Sequence, residues 1–105
     1  MLYMVRFDVF QPVDMSTEQL FTIWSEEADA ALGAKQAGAV VDLWKVAGER
    51  TVFALCNFPD NHALDQALAG LPIIRQMGGS VKTQSWPVYP YEEFAQDVKA
   101  ALAGG

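Results

Sequence analysis

Glu27 is the residue whose setting says most about chemistry. With residues 16–36 wound as a helix at roughly 100° per residue, Leu20, Ile23, Trp24, Ala31 and Ala34 share one face, and Glu27 falls in its middle. Glu26 and Asp29 point away from that face, as helix carboxylates usually do. A carboxylate set among apolar side chains is poorly solvated in its charged form, so its pKa rises and it becomes a stronger proton acceptor. That suits a general base, or one group that takes a proton and later returns it. The alternative is a buried ion pair with Lys45 or Arg75. The sequence leaves both open.

The other reactive side chains carry less. His62 sits opposite the Leu64/Leu68 face of a second helix and reads as solvated; with no second histidine, a zinc site is not expected. Cys56 lies in a strand and reads as core filling. Trp24, Trp44 and Trp86 are able to floor a ligand pocket, although aromatics at such spacings are usually plain core. Arg75 beside Gln76 is a candidate anchor for a substrate carboxylate, set against a solvated loop charge. There is no phosphate loop, dinucleotide fingerprint or catalytic-triad pattern.

These side chains need elements to position them. Residues 2–10 are aromatic and β-branched and read as a strand, which Pro12 interrupts. Ser16 with Gln19 has capping-box spacing, and the helix it opens runs to about Gln36, where Gly38 stops it. Residues 40–47 and 51–58 flank Gly48-Glu49-Arg50 as a hairpin. Pro59-Asp60-Asn61 caps a second helix carrying Leu64, Ala67, Leu68 and Leu71, which Gly70 and Pro72 close. Ser80–Trp86 reads as a fourth strand. Beyond Pro87 and Pro90, Tyr91–Leu102 reads as a terminal helix with Phe94, Val98 and Leu102 on one stripe. The order β-α-β-β-α-β plus a helix is an α+β, ferredoxin-like arrangement, with residues 1–105 as a single domain.

Both sheet faces then look apolar. Tyr3, Val5, Phe7 and Val9 point one way, and Leu2, Met4 and Phe10 the other; Phe53 and Leu55 oppose Val52, Ala54, Cys56 and Phe58. Two helices cover one face, so a second chain, or its terminal helix, is expected on the other. The alternative is that Arg6 and Asp8 leave the second face mixed and tolerably wet.

Composition bounds the partners. The 105 residues are 51% hydrophobic and 19% charged, which suits a packed core. A net charge of −6 disfavours nucleic acid and anionic membranes. One cysteine permits no intrachain disulfide and fits a cytoplasmic setting. No segment reaches the ~20 apolar residues of a membrane span, and Met1–Arg6 does not look like a signal peptide.

The sequence resembles the muconolactone Δ-isomerase family. The matching residues are Met1-Leu2, Pro12-Val13-Asp14-Met15, Glu27 and Gly38, then Leu43-Trp44-Lys45-Val46-Ala47-Gly48, similar to the family's Leu-Trp-Arg-x-x-Gly. Pro59, Ala63-Leu64, Leu71-Pro72, Met77 and Val81 follow in step. The resemblance implies a ferredoxin-like dimer, a dimeric α+β barrel that can assemble further, and cofactor-free proton transfer on an unsaturated lactone. Glu27 would be acceptor and then donor, with Met4, Trp24, Trp44, Lys45 and Arg75 as substrate-binding candidates and no metal. The chain departs from the family pattern at three places. Met4 stands where the family tends to carry histidine, Leu71-Pro72-Ile73-Ile74-Arg75-Gln76 replaces an aromatic Leu-Pro-Leu-Phe-Pro-Tyr run, and Trp86-Pro87 stands near a histidine-proline. A natural-product cyclase handling a polyketide-like intermediate and a non-catalytic binding or assembly protein are the other readings.

Overall fold

The computed structural model describes residues 1–104. Its elements are β1 (Leu2–Val9), α1 (Thr17–Ala37), β2 (Val40–Lys45), β3 (Thr51–Asn57), α2 (Asn61–Ala69), α3 (Pro72–Met77), a 3-10 turn (Gly78–Ser80), β4 (Val81–Val88) and α4 (Tyr91–Ala103). The strands form one sheet in the order β2-β3-β1-β4, antiparallel at every join. This is the ferredoxin-like arrangement that the element order predicts.

Local chemistry sets the ends of α1. The Ser16 side chain accepts from the Gln19 amide at 3.1 Å, and the Gln19 side chain accepts from the Ser16 amide at 2.8 Å, closing the capping box. Gly38 ends the helix at φ 91°, a left-handed conformation that favours glycine. Asp60 caps α2 by accepting from the Ala63 amide at 2.8 Å. Pro72 behaves differently from expectation. It opens α3 at the first helical position, where a missing N–H costs nothing. Arg75 and Gln76 therefore lie on a helix and not in a loop. Pro87 is accommodated inside β4, which runs on to Val88, because β4 is an edge strand.

Alternation decides which sheet face the helices cover. Tyr3, Val5 and Val9 of β1 are buried with Ala54 and Cys56 of β3, and α1, α2 and α3 pack over them. The core divides into two clusters. One gathers Tyr3, Val5, Val40, Ala54, Cys56 and Leu64; the other gathers Val9, Leu20, Ile73, Met77 and Val81. Phe7 touches both.

The opposite face carries Met4, Phe53, Leu55, Trp44 and Trp86, with both tryptophans nearly half exposed. Polar groups hold one end of it. Arg6 pairs with Asp8 at 3.0 Å and lies 5.8 Å from the Phe53 ring centroid, and Thr51 donates to Asp8 at 2.8 Å. Among the described residues no helix covers this face.

The terminal helix α4 forms no packing interface with its own domain. Phe94, Val98 and Leu102 remain 46%, 43% and 81% exposed. The extended Pro90 (φ −57°, ψ 133°) continues the direction of β4 and gives the chain no turn to fold back on. The radius of gyration is consequently 17.0 Å, against about 13 Å for a compact chain of this length.

Candidate active site

Between the two core clusters lies a cavity of about 110 Å³, walled by α1, the sheet and the α2–α3 corner. Phe7, Val52, Ala54 and Cys56 form its floor, Trp24 and Ala31 one side, and Leu68, Leu71 and Ile73 the other. Among the described residues Glu27 is the one charged group on its wall. The 3.6-residue period of α1 brings it there, between Trp24 and Ala31, while Leu20 anchors the helix fully buried one turn earlier than Trp24.

The Glu27 carboxylate is half-buried, and its Oε2 has no hydrogen-bond partner. Burial pushes its pKa above the ordinary glutamate value. The Ile73 backbone amide, one residue past Pro72 in α3, opposes that rise by favouring the charged form. Neither Lys45 nor Arg75 pairs with it. Among the described residues the ion pairs are Arg6–Asp8 and Lys35–Asp42, so the ion-pair alternative for Glu27 falls away. The geometry supplies a desolvated carboxylate with one free oxygen facing apolar space, able to hold a proton and release it.

The other candidates separate by place. Trp24 lines the cavity. Lys45 lines an outer groove that shares Trp24, Ala28 and Val52 with the cavity. Met4, Trp44 and Trp86 stand on the opposite sheet face, and Arg75 is exposed on α3 away from the cavity wall. His62 is exposed in the first turn of α2. Cys56 reaches the cavity, but burial raises its thiol pKa, which leaves it a poor nucleophile. Sequence reasoning missed Ile73. The signal was present in Leu71-Pro72, since proline at a helix start presents the following amides outward. Among the described residues no group of three His, Cys, Asp or Glu is placed to hold a metal ion, and no helix is long and apolar enough to cross a membrane.

Comparison with known proteins agrees with this geometry. The family model for muconolactone delta-isomerase matches residues 1–91. The muconolactone Delta-isomerase of Pseudomonas aeruginosa is 32% identical over 77 residues, covering 73% of this chain and 80% of that protein. The Acinetobacter baylyi protein of the same name is 31% identical over 77 residues, with coverage of 73% and 80%. A crystal structure of muconolactone isomerase superposes with a TM-score of 0.72 at 23% identity, covering 86% of this chain and 90% of that one. An antibiotic biosynthesis monooxygenase shares the fold more distantly, with a TM-score of 0.52 at 16% identity over 86% of this chain and 100% of that one. On this evidence of sequence and fold together, the chain belongs to the muconolactone Δ-isomerase family.

Proposed function

We propose that the protein is a cofactor-independent isomerase that moves a proton on an unsaturated lactone or a related small molecule, with Glu27 as base and then acid. The observation that carries this is the unpartnered Oε2 of a half-buried Glu27 in an otherwise apolar cavity. Glu27 takes a proton from a ring carbon activated by the conjugated carbonyl. The C–H electron pair delocalises into that carbonyl, the protonated Glu27 delivers the proton two carbons away, and the double bond moves without any net change in the enzyme. Apolar walls keep water from competing for the intermediate. Trp24 confines the ring beside the carboxylate.

The cavity favours small rings over a polyketide-like intermediate. Its volume of about 110 Å³ is below the ~150 Å³ of a cavity that admits benzene. Turnover of muconolactone by protein dialysed against a chelator tests the reading. Retained activity supports cofactor-free chemistry; an inactive parent protein overturns the substrate.

The working unit we propose is a cytoplasmic homodimer or higher homo-oligomer. The uncovered sheet face around Trp44 and Trp86 supports it, as does α4, since an isolated helix of 13 residues is marginal in water without a surface to pack on. Light scattering at micromolar concentration giving a monomer mass would refute this assembly.

A further inference from the structure

The cavity beside Glu27 has charged side chains in the neighbouring groove. Trp24, Ala28 and Val52 line both the cavity and the outer groove, so the two spaces adjoin. The groove's far wall is the β2–β3 hairpin, which turns through Gly48 at φ 79° and contributes Lys45, Glu49 and Arg50. This acidic chain has seven Lys and Arg against 13 Asp and Glu. The groove nevertheless gathers two cations and one carboxylate.

Neither cation is committed to an ion pair among the described residues. Lys45 Nζ donates to the Val46 carbonyl at 2.9 Å. Arg50 is held in place: one N–H donates to Gln11 Oε1, the guanidinium carbon lies 5.9 Å from the Phe21 ring centroid, and its carbonyl accepts from the Val9 amide at 3.0 Å. A positioned guanidinium with N–H donors to spare is suited to a carboxylate. Inside the cavity the only charge is that of Glu27, which repels an anion and offers no counter-charge. An anionic ligand must therefore leave its charge outside.

We propose that Arg50, assisted by Lys45, is the anion anchor of this site, holding a ligand carboxylate in the groove while the ligand's small ring sits beside Glu27. Arg50 is thereby a specificity residue, and it rests on the isomerase reading only for what happens to the ring.

The test uses binding, so it does not depend on turnover. Calorimetry on the full chain compares 2-furanacetate with its neutral methyl ester. The parent protein should prefer the acid by about tenfold or more, as a charge-assisted contact implies, and the preference should shrink as salt rises. Arg50→Gln should remove most of that preference and Lys45→Gln part of it, with ester affinity unchanged; Arg50→Lys should keep some. Lys45 is exposed, so its variant remains informative should Arg50→Gln fold poorly. Equal affinity for acid and ester in the parent, binding of neither probe, or an undiminished preference in the glutamine variants overturns the anchor. If the preference holds while muconolactone is not turned over, the isomerase reading fails and the anchor stands.

Discussion

Glutamine at position 27 separates catalysis from stability. Glu27→Gln keeps the shape and an oxygen for the Ile73 amide, but removes the proton acceptor. Loss of a general base costs about 10²–10⁴ in rate, or about 2.7–5.4 kcal/mol of barrier. The stability effect depends on pH. Burial raises the folded-state pKa of Glu27 above the ordinary value of 4.5, with the Ile73 amide opposing. Its contribution is therefore fully present below about pH 4.5 and is lost as pH rises through the raised folded value. Ionised Glu27 works against the fold at pH 8. The glutamine variant escapes that cost, although its amide nitrogen replaces an oxygen that already lacked a partner. Relative to the parent it should gain stability between pH 4 and pH 8. The parent's kcat/KM should rise with pH on a limb above 4.5, and that limb should vanish in the variant. Urea melts at both pH values, with steady-state rates on the same preparations, check all three. Normal turnover, or a stability difference that moves the other way with pH, refutes the reasoning.

Leu20→Ala removes a fully buried anchor of α1 and should cost about 2–5 kcal/mol, read as a lower Tm with the far-UV spectrum retained. Deleting residues 91–105 should reduce the oligomer mass or the Tm, because the apolar stripe of α4 stays largely exposed on its own domain; sedimentation and melting with neither changed would make the helix an appendage. Cys56, 4% exposed with a thiol pKa raised by burial, should resist iodoacetamide at pH 8 in the native protein and react fully in urea, as mass spectrometry would show.

What the sequence made legible was local. The capping box at Ser16, the left-handed stop at Gly38, the hairpin around Gly48 and the helical period that singles out Glu27 are all decided within a few residues. The helix α3 escaped because Pro72 serves equally well to end one helix or begin another, and only the α1–α3 packing selects the second. That neither Lys45 nor Arg75 pairs with Glu27 was also illegible, since both are placed by tertiary structure. Met4 is instructive in the other direction. Its parity with Leu2 set it on the face away from Tyr3 and Val5, and the family resemblance carried it toward the site against that parity. The charge on Arg50 was visible, but not that the hairpin places it in a groove next to the cavity.

The order of the sheet has a consequence for how the chain is made. β1, the first strand synthesised, is an inner strand, and its two neighbours are β3 and β4. Leu2 pairs with Asn57 on one side and with Val88 on the other. Tyr3, Val5 and Phe7 therefore lack one strand partner until β3 has been made and the other until β4 follows. At about 5–20 residues per second, that interval lasts seconds, and the closing step must join segments some eighty positions apart, which slows it. β1, which waits longest for its second neighbour, is where a growing chain of this domain is most open to mispairing with another copy of itself.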